Sequence, residues 1–302
     1  AIGLAYFRER GFRDDIIEKF QLGFCPKGRD TMSRAALKEG YREQYLVGTG
    51  LSIKREDSTV VDRFWGRVMF PWYTVGGKVA GFGGRVLDKA TKGVNVKYLN
   101  SPESLVYSKR NELFGFFQAK QAISKKDRCY LVEGYTDVMA MHQNGVENVV
   151  ASSGTSLTEE QIRLINRFTN NITLMFDGDA AGVKAALRGV DLILKEGMNV
   201  RIVLLPEEHD PDTFARANTS EQLRAYISDN AQDFLAFKAR LLLGEATNDP
   251  LKRTEAINDM VYSISLIPDN IKRTEYIRYC AEIMNIEQQT LAVAVARKLD
   301  GI

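Results

Sequence analysis

Hydrophobic positions change their spacing twice along this chain, and the first change comes near residue 126. Before it, two short amphipathic segments that predict helices precede a stretch rich in glycine, aromatic and β-branched residues, 50–110. Two apolar runs in that stretch, VMFPWYTV and KVAGFGGRV, flank Gly76-Gly77, which is typical of a two-residue hairpin turn. We expect an antiparallel sheet in a mixed α+β subdomain, with Pro71 near an edge or a bulge because proline lacks a backbone donor.

Residues 127–218 alternate short apolar runs with helical periodicity. RCYLVEG, ENVVASSG, NITLMFDGD and NVRIVLLP have the composition of buried strands. Between the second and third of these runs, Ser156 with Glu159 three residues later predicts the start of a helix. Such alternation predicts an α/β fold, in which a parallel sheet is covered by helices on both faces.

From residue 219 to residue 302 the pattern is helical throughout. Asp249-Pro250 gives a helix start, and Pro268 marks a further break. We therefore expect three domains: an α+β subdomain over 1–126, a parallel-sheet domain over 127–218 and a small helical bundle over 219–302.

Composition narrows the class of protein. With 302 residues, 44% of them hydrophobic and 26% charged, the chain is typical of a soluble globular protein of two or three domains. It contains no apolar run of membrane-spanning length and no signal peptide, so no membrane partner is expected. Cys25, Cys129 and Cys280 are far apart and odd in number, which argues against a disulfide framework and favours free thiols in the cytoplasm.

Charge is distributed unevenly along the chain. Residues 1–126 contain 23 Lys and Arg against 13 Asp and Glu, whereas residues 127–302 contain 18 against 26. A basic part followed by an acidic part suggests a polyanionic partner for the first and metal ions for the second. Chance variation of the surface composition is the alternative, and charge alone does not decide between the two.

Acidic residues follow three of the predicted strands. They are Glu133 with Asp137, Asp177 with Asp179, and Asp210 with Asp212. Because the carboxyl ends of parallel strands meet at one edge of a sheet, all six carboxylates can face one rim. Oxygen ligands alone favour Mg²⁺ or Mn²⁺, and two such ions suit phosphoryl transfer. A single D-x-D is more often part of a solvated loop. A calcium-binding loop that starts at Asp177 is disfavoured, because it would need a Glu where Arg188 stands.

The order E-G, D-x-D, D-x-D on a predicted parallel sheet resembles that of the Toprim family. LVEGYTDVMA, MFDGDAAG and DPDTFARA are more specifically similar to bacterial replicative DNA primases of the DnaG type. FWGRVMFPWYTVGGKVAGFGGRVLD and KYLNSPESLVYSKRNELFGFFQA resemble the basic N-terminal subdomain of the same family, and the likeness is most specific from residue 62 to residue 216. The resemblance implies an RNA polymerase catalytic core with a central Toprim domain.

That resemblance also implies roles for individual residues. Divalent ions would be held by Glu133, Asp137, Asp177, Asp179, Asp210 and Asp212. Of these, Glu133, Asp177 and Asp179 would be catalytic, Glu133 as a general base or a metal ligand. Nucleic acid or nucleotide would be bound by Arg67, Arg85, Lys97, Asn100, Lys109 and Arg110. One departure is Glu208, which stands where the family more usually has glycine.

The basic part supports this interpretation independently. Its cations are interleaved with aromatic residues, a mixture that suits single-stranded nucleic acid because cations bind phosphates and rings stack on bases. Most of the rings are still expected in the core, and Trp65 and Phe82 are expected to be buried.

We therefore expect a DNA primase core, a nucleotidyltransferase that makes short RNA primers on single-stranded DNA from ribonucleoside triphosphates with two metal ions. A nuclease or topoisomerase fragment could use the same acidic sheet, and a non-catalytic nucleic-acid-binding module is the other alternative. No cluster of zinc ligands occurs, so zinc is not expected. We expect a replicative helicase and a single-strand-binding protein to bind the full-length protein at the bacterial replication fork, but not through this part of it.

Overall fold

The computed structural model describes residues 2–87, 96–154, 156–246 and 249–300, apart from the side chains of residues 243–246. The chain forms two compact units. Unit 1 comprises Ala1–Gln121 and Glu133–Thr155, and unit 2 comprises Ala122–Val132 and Ser156–Ile302. The three-domain division at residues 126 and 218 stays a prediction.

Helices and strands lie mostly where the hydrophobic pattern predicts them. Up to residue 126 the helices are α1 (Ile2–Glu9), α2 (Asp14–Lys19), α3 (Thr31–Lys38), α4 (Glu43–Gly48) and α5 (Phe116–Lys126). The strands of this part are β1 (Gly23–Phe24), β2 (Ser52–Lys54), β3 (Val60–Asp62), β4 (Arg67–Tyr73), β5 (Val79–Val86) and β6 (Tyr98–Asn100).

The later part of the chain alternates strands and helices before it becomes helical. Its strands are β7 (Cys129–Val132), β8 (Val149–Ala151), β9 (Asn171–Phe176), β10 (Asn199–Leu204) and β11 (Gln232–Asp233). Its helices are α6 (Tyr135–Gln143), α7 (Glu159–Asn166), α8 (Ala180–Lys195), α9 (Pro211–Ala217), α10 (Ser220–Asn230), α11 (Phe234–Ala246), α12 (Pro250–Ser265), α13 (Asn270–Met284) and α14 (Gln288–Leu299).

Unit 1 contains the predicted antiparallel sheet, in the order β1-β4-β5-β6. The hairpin of β4 and β5 is confirmed, but its turn is longer than two residues. The last strand pair is Tyr73 with Val79, and the N–H of Thr74 donates to the carbonyl of Lys78 at 2.8 Å. A two-residue type I′ turn needs positive φ at both central residues, whereas of the two glycines only Gly77 has it, at 87°.

Pro71 occupies the position in the sheet that its missing N–H requires. Strand β1 pairs with β4 only at Val68 and Met69, so Pro71 is paired on one side, with Phe82 of β5. A shift of register follows directly at Trp72, as expected for a proline near a bulge.

Two burial predictions in this part of the chain are wrong. Trp65 and Phe82 are half-buried rather than buried. Phe82 packs against the outside of a small core cluster of Cys25, Phe64 and Met69, and the guanidinium of Arg29 lies 5.8 Å from the centre of the Trp65 ring. Trp65 and the buried Phe64 are neighbours in the turn before β4, where no alternating pattern tells which ring is buried. Phe82 and the buried Trp72 lie in strands, where an aromatic residue fits either face.

Unit 2 contains the predicted parallel sheet. Strands β7, β9 and β10 pair in parallel, and helices separate them along the chain. The residues of these strands contribute to the core. Strand β11 extends the sheet by pairing antiparallel with β10, in a region predicted to be helical throughout. It has only two residues, too few to show an alternating pattern in the sequence.

Helix α7 begins at a different residue from the one predicted. Its N-cap is Thr158, whose hydroxyl accepts the N–H of Gln161 at 3.1 Å, and the Gln161 side chain accepts the N–H of Thr158 at 3.1 Å. The pair Ser156 and Glu159 fits the same capping pattern, so the pattern could not decide between the two starts.

The helices after residue 233 pack on one another as the predicted bundle. Asp249 caps α12, and α13 begins after the break at Pro268. A buried lysine, Lys238 of α11, donates to Asp259 at 2.8 Å and Ser263 at 2.6 Å, both on α12. In the described ranges, no helix is long and apolar enough to cross a membrane.

Candidate active site

A cavity of about 290 Å³ opens in unit 1 at the start of α6. It is lined by Tyr98, Leu99, Asn100, Lys109, Glu133, Gly134, Tyr135, Ser153 and Gly154. Three residues that the sequence predicts for the site therefore come together here: Asn100, Lys109 and Glu133. Their carboxamide, ammonium and carboxylate give the cavity both hydrogen-bond donors and a charged acceptor.

The start of α6 fixes the position of Glu133. Gly134 is the N-cap of the helix, and its N–H donates to Oδ2 of the buried Asp137 at 2.9 Å. The carbonyl of Glu133 accepts the N–H of Ser153 at 3.0 Å, whereas its side chain is exposed. Asp137 thus supports the loop that presents Glu133 and is itself buried.

Asn100 and Lys109 contact the chain after β8. Nδ2 of Asn100 donates to the carbonyl of Ser153 at 3.1 Å, and Oδ1 accepts from the Tyr135 hydroxyl. Nζ of Lys109 lies 3.5 Å from the carbonyl oxygen of Gly154. Ser153 and Gly154 have φ of 49° and 86°, a left-handed backbone that turns both carbonyls toward these donors.

The other predicted basic residues lie outside the lining of this cavity. Arg67 is buried, and its guanidinium donates to the carbonyls of Gly84, Lys97 and Val96 at 3.2, 3.1 and 2.9 Å. Burial lowers the Arg67 pKa from its ordinary value. In this arrangement Arg67 connects β4 to the neighbouring backbone, so its predicted phosphate contact remains untested.

Arg85 packs between two aromatic rings. Its guanidinium lies 5.2 Å from the centre of the Tyr6 ring and 5.9 Å from that of Tyr98, and it donates to the Tyr6 hydroxyl. Lys97 is exposed, with Nζ 5.8 Å from the Tyr98 ring, and Arg110 is also exposed. The roles that the sequence predicts for these cations stay predictions.

The remaining predicted metal ligands lie in unit 2, after β9 and β10. Asp177 follows the last residue of β9, and a Cβ at Gly178 would lie 2.4 Å from the carbonyl oxygen of Leu205. Only glycine fits at residue 178, because the turn between Asp177 and Asp179 packs directly against the backbone after β10.

Burial is the main cause of a raised pKa at Asp177, and the negative charges of Asp210 and Asp179 raise it further. Asp179 caps α8 through Oδ1, which accepts the N–H of Gly182 at 2.7 Å. Asp210 caps α9 in the same way, with Oδ1 accepting the N–H of Thr213 at 2.7 Å. The charges of Asp179 and Asp210 therefore both lie close enough to Asp177 to repel its carboxylate.

Asp212 has a different environment. Its side chain is 2% exposed, and Oδ2 accepts from Nη2 of Arg216 at 2.9 Å. The charge of Asp212 is thus balanced within α9, and the predicted ligation of a metal by this residue stays a prediction.

The donor set of Asp177, Asp179 and Asp210 fits a hard divalent cation. It consists only of carboxylate oxygens, whose mutual repulsion a cation would relieve. Both helix caps use Oδ1, so Oδ2 of Asp179 and of Asp210 can turn toward an ion. Among the described residues, no group of three or more His, Cys, Asp or Glu side chains is already arranged to hold a metal, so ligation would require side-chain rotation.

Comparison with known proteins shows which family this chain belongs to. The model "DNA primase catalytic core, N-terminal domain" matches residues 2–120, "Toprim-like" matches residues 130–215, and "DnaB-helicase binding domain of primase" matches residues 239–289. A DNA primase domain from Pseudomonas aeruginosa has a crystal structure that is 34% identical, with a TM-score of 0.86, and the match covers 98% of this chain and 92% of that one. The chain belongs to the DnaG-type bacterial DNA primases.

Other primases agree with this assignment. The DNA primase of Staphylococcus epidermidis is 34% identical over 289 residues, which are 95% of this chain and 48% of the relative. A DnaG primase catalytic domain bound to single-stranded DNA is 33% identical with a TM-score of 0.83, over 95% of this chain and 90% of that chain. The chain spans about half the length of the curated primases that it matches.

The comparisons confirm the Toprim prediction and correct the prediction about helicase contacts. The match to the helicase-binding domain at residues 239–289 contradicts the expectation that helicase contacts lie outside this part of the protein. Helix caps and proline breaks predicted the helices there, but they carry no information about a binding partner.

Six of the nine residues that line the cavity were not predicted as site residues: Tyr98, Leu99, Gly134, Tyr135, Ser153 and Gly154. A signal was available at Ser153-Gly154, because small polar residues after a buried strand commonly form turns with positive φ.

Proposed function

We propose that this chain is a primase catalytic core, which synthesises short RNA primers on single-stranded DNA from ribonucleoside triphosphates. The observation that carries the proposal is the cavity shared by Asn100, Lys109 and Glu133 in a chain of the DnaG family. The relative bound to single-stranded DNA supports a DNA template, and so does the basic composition of residues 1–126.

The residues of unit 1 would bind and orient a nucleotide. The Lys109 ammonium would pair with a phosphate oxygen, and Asn100 would donate a hydrogen bond. Glu133 has an exposed carboxylate on a fixed backbone, which suits either a general base or a metal ligand. Catalysis would then depend on positioning and charge neutralisation rather than on a covalent intermediate.

Divalent ions complete the proposal. In unit 2, Asp177, Asp179 and Asp210 would hold Mg²⁺ or Mn²⁺, with Asp212 as a further candidate. In unit 1, Glu133 and Asp137 remain separate candidates for metal ligands. Two bound ions would neutralise the triphosphate and stabilise the attacking and leaving oxygens. The support is the oxygen-only donor set and the raised pKa of Asp177.

The direct experiment is incorporation of labelled ribonucleotides on a single-stranded DNA template. We expect RNA products from the unaltered chain, and none from Asp177→Ala or Asp179→Ala, with melting curves confirming that both variants fold. Full synthesis by either variant would contradict the two-metal proposal. Shortening of the labelled template without RNA synthesis would instead favour the nuclease alternative.

We also propose that residues 239–289 bind a replicative helicase. The support is the match to the helicase-binding domain of primases, which covers most of α11, all of α12 and α13, and the start of α14. Calorimetric titration of this chain with the replicative helicase should show binding. Absence of heat at micromolar concentrations of both proteins would contradict it.

A further inference from the structure

A line of hydrogen bonds runs through the wall of the cavity in unit 1. The indole N–H of Trp72 donates to the hydroxyl oxygen of Tyr135 at 3.1 Å, and the Tyr135 hydroxyl donates to Oδ1 of Asn100. At the other end, Nδ2 of Asn100 donates to the carbonyl of Ser153 at 3.1 Å. Tyr135 and Asn100 both line the cavity, whereas Trp72 is buried behind it.

The two ends of this line fix the direction of every bond in it. The indole of Trp72 can only donate, so the Tyr135 hydroxyl accepts there and gives its single proton to Asn100. The carbonyl of Ser153 can only accept, so the nitrogen of the Asn100 carboxamide must face it. Asn100 therefore has one orientation, and its second amide hydrogen remains for a ligand.

The β4–β5–β6 sheet fixes the position of the Tyr135 ring relative to Asn100. Phe70, Gly83 and Asn100 are cross-strand partners in one row over β4, β5 and β6. The Tyr135 ring stacks on Phe70 with 4.7 Å between ring centres and an interplanar angle of 8°. A Cβ at Gly83 would lie 2.2 Å from the Tyr135 hydroxyl oxygen, so the ring passes over Gly83 and reaches Asn100 only because residue 83 has no side chain.

Burial protects this line of hydrogen bonds from water. Tyr135 is 4% exposed, so solvent does not compete with Trp72 and Asn100 for its hydroxyl.

We propose that Tyr135 is a positioning residue, whose hydroxyl holds the Asn100 carboxamide so that an N–H donor faces an acceptor oxygen of a bound ribonucleotide beside Lys109. The identity of that ligand rests on the proposed function, whereas the fixed orientation of Asn100 does not. A cavity with an ammonium and an oriented amide N–H selects acceptor atoms, such as the oxygens of a phosphate or ribose, and disfavours donors.

Tyr135→Phe tests the role of the hydroxyl, because it keeps the ring and its stacking on Phe70. We expect the Kd for ATP, measured by calorimetry on the full chain, to rise about tenfold. This is the weakening of binding expected when one well-placed hydrogen bond is lost. The KM for ribonucleotides should rise similarly while kcat changes less than about twofold, because the hydroxyl acts on binding rather than on the reacting atoms.

Tyr107→Phe is a matched control. Tyr107 is 1% exposed, and its ring lies 5.6 Å from that of Trp72. Within the described ranges its hydroxyl has no hydrogen-bond partner. This variant should leave the Kd for ATP unchanged. An equal rise of the Kd in Tyr107→Phe and Tyr135→Phe would show a general effect of packing and overturn the proposal.

A double-mutant cycle separates positioning from direct contact. If Tyr135 acts through Asn100, then Tyr135→Phe with Asn100→Ala should bind ATP no more weakly than Asn100→Ala alone. Additive losses would show that Tyr135 acts independently and would overturn the proposal.

A measurement without nucleotide keeps the inference distinct from the proposed function. The side-chain amide signals of Asn100 in a ¹⁵N–¹H spectrum, assigned by their absence in Asn100→Ala, should move in Tyr135→Phe and stay in place in Tyr107→Phe. Unchanged signals in Tyr135→Phe would overturn the positioning role even in an active primase. Failure of the unaltered chain to incorporate ribonucleotides would overturn the proposed function alone.

Discussion

At the scale of single residues, the ionised carboxylate of Asp177 is less stable in the folded chain than in the unfolded one. Its carboxylate is half-buried beside two others, and burial, Asp210 and Asp179 all raise its pKa. The folded state therefore binds the Asp177 proton more tightly than the unfolded chain does. This contribution stabilises the fold below the unfolded pKa of about 3.9 and is lost as the pH rises through the higher folded value.

Asp177→Asn should therefore raise the Tm at pH 7 in buffer with EDTA, and the gain should shrink toward pH 4. Added Mg²⁺ should raise the Tm of the unaltered chain more than that of the variant, because the ion removes the same repulsion. Asp179→Ala is the contrasting change: it deletes the N-cap of α8 and should cost about 1 kcal/mol of unfolding free energy. A lower Tm for Asp177→Asn in EDTA would show that its carboxylate is already compensated.

The residues of the site were predictable to different degrees. Asp177 directly follows β9, Asp179 comes two residues later, and Asp210 is the sixth residue after β10. The hydrophobic pattern indicates where these strands end, so it also indicates the region of these carboxylates. Asn100 owes its orientation to Trp72 and Ser153, which are distant in the chain, so no local pattern contains it. Arg67 looked like an exposed cation but is buried against three carbonyls, a contact that depends on the register of the sheet.

At the scale of elements, long periodic segments were predicted well and short ones were not. Strands β7 and β9 have four and six residues that are mostly buried, which is a strong signal, whereas only three of the six residues of β10 are buried. Strand β11 forms only because β10 offers it an edge. The buried Lys238 likewise reads as a surface residue of α11 until Asp259 and Ser263 of α12 are placed beside it.

The β4–β5–β6 sheet gives an element-scale prediction. Gly83→Ala should destabilise the fold by about 1–3 kcal/mol and weaken ATP binding, because the new methyl group would overlap the Tyr135 hydroxyl and displace the ring. Gly48→Ala is the control, since no atom lies within 4 Å of a Cβ there and the residue is in helix α4, so it should stabilise by about 0.4–1 kcal/mol. Urea unfolding measures both, and equal stability of Gly83→Ala and the unaltered chain would contradict the close packing of Tyr135.

At the scale of the whole chain, the basic and acidic parts predicted from composition agree with the matched families. The basic residues 1–126 contain the match to the N-terminal domain of the primase core, and the acidic remainder contains the Toprim-like and helicase-binding matches. Composition indicates the chemical class of partner because counterion release and cation binding depend on net charge rather than on fold. Composition gave no hint of the helicase-binding match, because a protein interface depends on a surface that no charge count describes.

The basic part of the chain leads to a prediction about salt. If Lys97 contacts a phosphate of single-stranded DNA, Lys97→Ala should reduce the slope of log Kd against log salt concentration by about 0.7. Lys97 suits this role because it is exposed, with Nζ beside the ring of Tyr98.

Lys298→Ala is the control. It removes another exposed charge, in the last turn of α14 in the acidic part, and should leave the slope unchanged. Fluorescence anisotropy of a labelled oligonucleotide between 50 and 200 mM salt, roughly the range over which such binding weakens, measures both slopes. Equal slopes for Lys97→Ala and the unaltered chain would remove Lys97 from the DNA path.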